Sequence, residues 1–187
     1  MFNSWHQTLI TLQGNGTAVT GTTAATSLLA TAGAGARFLK PANFFNNIGG
    51  KLRVSMGGII TTIVTTPGNL TLALRVGSVD VFNSGAISLN VVAQTNAAWW
   101  LDLDLDLRVQ GAAAQFRGIG RFYSRAVVGA AAVTVGTAGM IVLPDTGSAL
   151  GTAFDDTASN YIEPFSTASV TGTSIRLDSY ELTSNFV

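Results

Sequence analysis

Three aspartates at alternate positions form the most chemically suggestive spacing in this sequence. Asp102, Asp104 and Asp106 are separated by single leucines. Alternate residues of a β-strand lie on one face, about 7 Å apart. Two such carboxylates could share a hard cation such as Ca²⁺ with a second acidic segment, and Asp155 with Asp156 could supply it. The row is therefore a candidate cation site.

An ion-paired ladder is the favoured interpretation of the same row. Arg117, Arg121 and Arg125 share one face of the next predicted strand, and the GAAA segment 111–114 could close a hairpin between the two strands. In each register considered that keeps both apolar faces inward, an arginine falls opposite an aspartate. We therefore predict cross-strand ion pairs, each contributing about 0.2–1 kcal/mol at an exposed site, and assign no metal ligand.

No catalytic arrangement is found in the sequence. His6 is the one histidine, and no nearby serine and carboxylate supply the pocket that a Ser-His-Asp triad needs. There is no cysteine, which excludes thiol nucleophiles and thiolate metal sites. The LPDTG segment at 143–147 matches a sortase sorting signal, but forty patterned residues follow it, so a turn is predicted. We predict a non-enzymatic protein with no cofactor.

These residues lie on predicted strands, because apolar residues recur with a period of two and no helical period is sustained. The clearest strand runs over 99–110, with leucines on one face and aspartates on the other. Further predicted strands are 8–12, 52–56, 59–64, 70–76, 86–94, 115–123, 140–143, 161–170 and 174–183. In the last, the apolar phase slips from Leu177 to Tyr180, which predicts a bulge near Ser179. Glycines such as Gly57 and Gly58 are interpreted as turns. The pattern predicts an all-β, jelly-roll-type antiparallel sandwich.

Two segments are poor in large side chains. Residues 14–36 are mostly Gly, Ala, Thr and Ser, so we expect an extended N-terminal arm or loop, ordered by a neighbour, within a region spanning 1–36. Residues 127–139 could form either a strand or a loop. No linker divides the chain, so 1–187 is predicted to be one domain.

Paired aromatic residues predict an interaction surface. Phe44 with Phe45, and Trp99 with Trp100, place rings on opposite faces of an extended segment, so one ring of each pair can be in the core. The other ring would contact a partner or form a surface platform. The predicted interface residues are Phe44, Phe45, Trp100, Arg117 and Arg121.

The composition points to a subunit of an assembly. Of the 187 residues, 11% are charged and 47% hydrophobic, and ten acidic residues balance ten basic ones. A net charge of zero provides no field for binding a nucleic-acid backbone or anionic lipid. The longest apolar stretch, 126–133, is far short of the ~20 residues that span a bilayer, and the N-terminus lacks a signal-peptide pattern. We expect a surface covered by neighbouring subunits.

Three segments resemble small β-sandwich virion proteins of tailed bacteriophages. They are PGNLTLALRVGS at 67–78, WWLDLDLDLRVQG at 99–111 and GTAFDDTASNYIEPFSTASVTGTSIRLDSYEL at 151–182. The similarity runs in order from about Ala25 to the C-terminus and includes no catalytic signature. It implies a capsid decoration (cement) protein that forms homotrimers, binds the major capsid protein and lies on the outer surface of the head after synthesis in the host cytoplasm.

Two alternatives remain open. The first is a tail- or fibre-associated sandwich that binds a host surface glycan through Trp100 or a loop. The second is a glycan depolymerase, for which no paired acidic site can be nominated.

Overall fold

The chain folds as an all-β, two-layer antiparallel sandwich. The computed structural model describes residues 6–29, 37–63, 68–130, 139–144 and 146–185. Within them the strands are β1 (Gln7–Thr11), β2 (Val19–Thr20), β3 (Thr26–Ser27), β4 (Phe38–Lys40), β5 (Lys51–Thr62), β6 (Asn69–Val76), β7 (Val79–Asn83), β8 (Ile87–Leu89), β9 (Gln94–Val109), β10 (Gln115–Ser124), β11 (Val127–Ala130), β12 (Gly139–Leu143), β13 (Asn160–Ala168) and β14 (Ser174–Asn185). A single 3-10 turn, Gly111–Ala113, connects β9 to β10.

The two sheets differ in the strands they contain. The front sheet has the order β1-β14-β5-β9-β10-β12, with β2 added at β14. The back sheet has the order β11-β8-β6-β13-β3, with β4 added at β13 and β7 at β6. The chain crosses between the layers from β5 to β6, from β8 to β9 and from β13 to β14, as in a jelly-roll type of sandwich, whereas β6-β7 and β9-β10 are hairpins within one layer. In the described part of the chain, no helix is long and apolar enough to cross a bilayer.

Alternating apolar residues of both sheets form one core. The inward leucines of β9, at 101, 103, 105 and 107, are at most 1% exposed, and Leu70, Leu72 and Leu74 of β6 are equally buried in the opposite layer. Each buried leucine contributes about 1.5–3 kcal/mol through removal of its apolar surface from water. This core leaves the alternate residues of β9 on the solvent side of the front sheet.

Two glycines that the sequence interprets as a turn lie inside a continuous strand. β5 runs unbroken through Gly57 and Gly58, so the prediction of two separate strands was wrong. A Cβ on Gly57 would collide with the ring of Trp100, and one on Gly58 would collide with the carbonyl oxygen of Arg176. The missing side chains allow this close approach, which is a reason for glycine within a strand.

The predicted bulge in β14 is confirmed. Its pairing with β5 shifts register between Leu177 and Ser179, opposite Gly58 and Gly57. The shift brings Leu177 and Tyr180 to the core side although their numbers differ in parity, with exposed fractions of 0% and 2%.

The predicted strand at 86–94 is much shorter than expected. β8 ends at Leu89, and the Asn90 side chain then accepts a hydrogen bond from the Val92 backbone N–H at 3.0 Å, in place of a ladder bond. Val91 and Val92 are 63% and 60% exposed. The segment 127–139, left open between strand and loop, contributes β11 and the first residue of β12; residues 131–138 lie outside the described part.

The N-terminal region is extended but lies against its own sandwich. β1 and β2 pair with β14, and β3 pairs with β13. Gly16 donates its backbone N–H to the Leu177 carbonyl at 2.6 Å, and Leu28 and Leu29 are at most 2% exposed. Residues 14–29 are therefore ordered by this chain itself, contrary to the expectation of a neighbour; residues 30–36 lie outside the described part.

Candidate functional site

The solvent side of the front sheet, here called the front face, contains most of the predicted site residues. In the β9-β10 hairpin Arg117 lies opposite Asp106 and Arg121 opposite Asp102. This is one of the registers predicted from the sequence, because both apolar faces must point inward. The placement of arginines opposite aspartates is confirmed.

The ion pairs, however, form with the other neighbour of β9. Arg53 Nε of β5 donates to Asp104 Oδ1 at 2.7 Å, and Lys51 Nζ lies 3.3 Å from Asp106 Oδ1. Arg108 adds a second contact to Asp106 at 3.1 Å. The hydrogen bond to Asp104 raises the pKa of the Arg53 guanidinium above its ordinary value. The predicted ladder exists, but its cations come from β5 rather than β10.

The arginines of β10 remain without carboxylate partners in the described chain. Arg117 donates instead to the hydroxyl and the carbonyl of Ser148, at 3.0 and 3.1 Å. Of the ten Lys and Arg residues, seven form ion pairs with described carboxylates, and the other three are Arg117, Arg121 and Arg125. All three are exposed, and all lie on β10 or in the turn after it. Positive charge without a described carboxylate partner is thus concentrated on β10 and the turn after it.

The aspartates of the row bind protein groups and are not arranged around a cation. Asp102 accepts hydrogen bonds from Ser55 Oγ at 2.8 Å and from Trp100 Nε1 at 2.9 Å, while Asp104 and Asp106 are ion-paired. Among the described residues no group of three or more acidic or histidine side chains could hold a metal ion. Asp156, which the cation hypothesis needed, is buried and bound to Lys40.

The Lys40–Asp156 pair was missed by the sequence analysis. Lys40 Nζ lies 2.8 Å from Asp156 Oδ1 and also donates to the carbonyls of Pro41, Asp156 and Ala158 at 2.8–3.0 Å. Asp156 Oδ2 accepts the backbone N–H of Phe45 at 3.2 Å. The one available signal was a lysine between Leu39 and Pro41 ahead of two phenylalanines. The pair joins two loops, and it leaves Asp155 on the surface, bonded to Thr157 at 2.6–2.8 Å.

The aromatic pairs divide between core and surface. Trp99 is 3% exposed, stacks on Phe122 at 5.9 Å and donates Nε1 to the Arg176 carbonyl, whereas Trp100 is 40% exposed. The prediction of one inward and one outward tryptophan is therefore confirmed. Phe45 is 2% exposed and packs edge-on against Phe116, so its assignment to an interface was wrong; its bulk completes the core.

Phe44 takes an intermediate position. It is half-buried, and its ring lies edge-on to Phe38 at 5.5 Å and to Phe45 at 5.1 Å. This ring supports the loop that Lys40 and Asp156 hold in place. The position gives Phe44 less free surface than Trp100.

Large apolar side chains are exposed on one half of the front face. Tyr123 of β10 lies between Trp100 of β9 and Met140 of β12. Arg121 of β10 lies beside Val142 of β12. Six of the twelve exposed large apolar side chains of the described chain lie here: Trp100, Ile119, Tyr123, Met140, Val142 and Leu150, at 37–57% exposure. Only Trp100 was singled out from the sequence. The others escaped because sheet order, which no local pattern encodes, places β12 next to β10.

Trp100 is held in a defined orientation. Its Nε1 donates to Asp102 two residues along the strand, and its six-membered ring lies over Gly57 of β5. A Cβ at residue 57 would occupy the space of that ring. The exposed indole is thus a fixed feature of the front face.

His6 is exposed near the N-terminus. A catalytic triad holds its histidine in a formed pocket with a carboxylate and a nucleophile, and exposure of His6 gives no support for such a role.

Comparisons with known proteins assign no family to this chain. No family model matches it, and no curated protein matches it. Among solved structures, a similar one is the CBM2 module of the evolved Dit of Lactobacillus casei BL23 phage J-1. That match has 8% sequence identity and a TM-score of 0.36, over 100% of this chain and 99% of that chain. At this level of similarity the comparison identifies neither the family nor the function of the chain, whose description remains that of an all-β antiparallel sandwich.

Proposed function

We propose that this protein is a non-enzymatic structural subunit of a phage virion, a decoration protein that binds the major capsid protein on the outer surface of the head. The observation that carries the proposal is the front face, where six of the twelve exposed large apolar side chains of the described residues lie on β9, β10 and β12 or in the bridge beside β10. Trp, Tyr, Met and Arg are enriched at protein interfaces, and all four occur there. On the assembled head, the family resemblance implies a homotrimer.

Binding to an assembled lattice would stabilise it by mass action. A subunit that binds the assembled shell, but not its separated capsid proteins, adds its binding free energy at each occupied site. Several copies joined together would engage several capsid subunits at once and dissociate more slowly. The distribution of positive charge suits this role. Seven of the ten Lys and Arg side chains are ion-paired within the chain, so they create no wider charged field.

The test compares virions with and without this chain. Heads lacking it should release their genome at a lower temperature, and adding the purified protein back should restore resistance. Val142→Ser should reduce occupancy on the head, because Val142 is an exposed apolar residue of the front face. Val92→Ser is the matched control, since Val92 is a similarly exposed valine in the loop after β8. Equal heat resistance with and without the protein would contradict the proposal.

A second function is favoured by the fixed indole of Trp100. An exposed aromatic ring beside hydrogen-bonding carboxylates can stack on a sugar, so a tail- or fibre-associated module that binds a host glycan is the alternative. Density for this chain at the tail, together with glycan-array binding lost in Trp100→Ala, would support that alternative. Density over the head would support decoration.

A further inference from the structure

We propose that the front face pairs with the front face of a second copy of this chain, about a two-fold axis that runs parallel to the strands between β5 and β9. This goes beyond the proposed function: it assigns the front face to a second copy in the purified protein, a contact that binding to the head would have to exchange for the capsid protein. The pairing does not require the capsid, so it can be tested separately.

The strand registers arrange the front face in rows across the sheet. One row contains Glu181 of β14, Ser55 of β5, Asp102 of β9 and Arg121 of β10, each beside the next. The rows on either side follow from the same registers. They are Thr183, Arg53, Asp104 and Ile119; Asn185, Lys51, Asp106 and Arg117; and Ser179, Gly57, Trp100 and Tyr123.

A two-fold axis between β5 and β9 exchanges the strands within each row. It places β14 over β10 of the second copy and β5 over β9 of the second copy. Glu181 then faces the second copy's Arg121, Arg53 faces the second copy's Asp104, and Lys51 faces the second copy's Asp106. No like charges face each other in these four rows. Aligned sheets pack with only about a 30° rotation, so the central rows keep this matching.

One of these contacts joins groups that have no ionic partner among the described residues of their own chain. Glu181 is exposed and accepts only a hydrogen bond from Thr8, at 3.2 Å, among the described residues. Arg121 is exposed and forms no ion pair with a described carboxylate. Because a two-fold axis repeats the contact, Glu181 and Arg121 of both copies would each gain an ionic partner. Opposite charges facing each other favour the correct pairing and exclude wrong ones.

The centre of the proposed contact is aromatic. Each Trp100 lies beside the axis with its ring over Gly57 of its own chain, so the Trp100 rings of the two copies meet at the axis. Tyr123 faces the second copy's Ser179, and Ile119 faces its Thr183, so each larger side chain meets a smaller one. Tryptophan and tyrosine near the centre of an interface commonly provide much of its binding energy.

The area of the face is sufficient for a specific interface. Four strands spaced about 4.8 Å apart cross all four rows, which are about 6.8 Å apart, and β1 and β12 each cross two, so the face covers about 650 Å² per copy. Two copies would bury about 1,300 Å², which lies within the range of specific interfaces.

The test is sedimentation of the purified full-length chain over a range of concentration and salt. The wild type should sediment as a particle of twice the 19.3 kDa chain mass, and its dissociation constant should rise with salt. Arg121→Glu should raise that constant about tenfold or more, because two like-charged contacts replace two attractive ones. Arg125→Glu is the matched control, since it makes the same charge change in the turn outside the paired rows.

A charge exchange distinguishes this contact from a folding defect. Arg121→Glu and Glu181→Arg should each sediment as a monomer alone, and an equimolar mixture of the two should form a mixed dimer, because each contact in it again joins opposite charges. Either of two results would overturn the pairing: a wild-type monomer or trimer in solution, or a mixture that stays monomeric. A protein that does not pair but binds the head would contradict the pairing and leave the decoration proposal standing. A protein that pairs but does not bind the head would contradict the decoration proposal and leave the pairing standing.

Discussion

Lys40 Nζ lies 2.8 Å from Asp156 Oδ1, and the two side chains are 0% and 2% exposed. Besides the carboxylate, three backbone carbonyls accept hydrogen bonds from this ammonium group. The pair therefore connects the start of the 41–50 loop with the 155–158 loop at the same end of the sandwich.

Removing one member of this pair should strongly destabilise the fold. We expect Asp156→Asn to lower the free energy of unfolding by about 3–5 kcal/mol, because it leaves the Lys40 charge buried without a counter-ion. Urea denaturation measures the change. Asp155→Asn is the control: Asp155 is the exposed neighbour, and a surface change there should cost under about 0.5 kcal/mol. Similar losses in the two variants would contradict the role of the buried pair.

Tyr180→Phe should leave the protein as stable as before or slightly more stable. The Tyr180 hydroxyl is buried and has no hydrogen-bond partner among the described residues. Its removal therefore eliminates a desolvation penalty of about 1–3 kcal/mol. Thermal denaturation near neutral pH measures this, with exposed Tyr123→Phe for comparison. A loss above about 1 kcal/mol in Tyr180→Phe would show that the hydroxyl has a partner.

The same tyrosine predicts an alkaline limit to stability. Burial, followed by the charge of Glu163, raises the pKa of Tyr180 well above its ordinary value of 10.0. Above that ordinary value the unfolded chain releases the phenol proton while the folded chain keeps it, so stability present at neutral pH falls as pH rises. Denaturation curves on either side of pH 10 should show a smaller decline in Tyr180→Phe than in the wild type.

Gly57→Ala should displace Trp100. The added methyl group would occupy the position of the indole ring and also lie 2.9 Å from the Trp99 carbonyl oxygen, so we expect a loss of about 1–3 kcal/mol and a changed tryptophan emission. Gly14→Ala is the matched control, because a Cβ there meets nothing within 4 Å. Unchanged emission in Gly57→Ala would contradict the described packing of Trp100.

The charge ladder predicts an asymmetry between two exposed arginines. At a concentration where the chain is monomeric, Arg53→Gln should lower stability by about 0.2–1 kcal/mol, because it breaks the bond to Asp104, whereas Arg121→Gln should have no measurable effect. A double-mutant cycle between Arg53 and Asp104 measures the coupling energy. Equal effects at residues 53 and 121 would place an ionic partner at Arg121.

Local patterns were sufficient to predict much of the fold. The alternation in β9, the parity of the β9-β10 register and the bulge before Ser179 all follow from the period-two geometry of a strand, which involves only neighbouring residues. Gly57 and Gly58 were misinterpreted as a turn because the reason for them, close approach of Trp100 and Arg176, lies on other strands.

The candidate site depended on contacts that no local pattern encodes. The sequence placed an arginine opposite each of two aspartates. The ion pairs form instead with β5, where Arg53 binds Asp104 across 51 positions of chain and Lys51 binds Asp106 across 55. Similarly, Lys40 and Asp156 are 116 positions apart, and the local signal at Lys40, a lysine between Leu39 and Pro41, does not identify its partner.

The sequence by itself determined the strand content, which residues of each strand point inward, and the outward position of Trp100, because each follows from side-chain alternation along one strand. Only the tertiary structure decided the order of the strands, the destination of each charge and the accumulation of exposed apolar residues beside β12. These depend on which distant segments bury one another's apolar surface, a property of the whole core rather than of any segment.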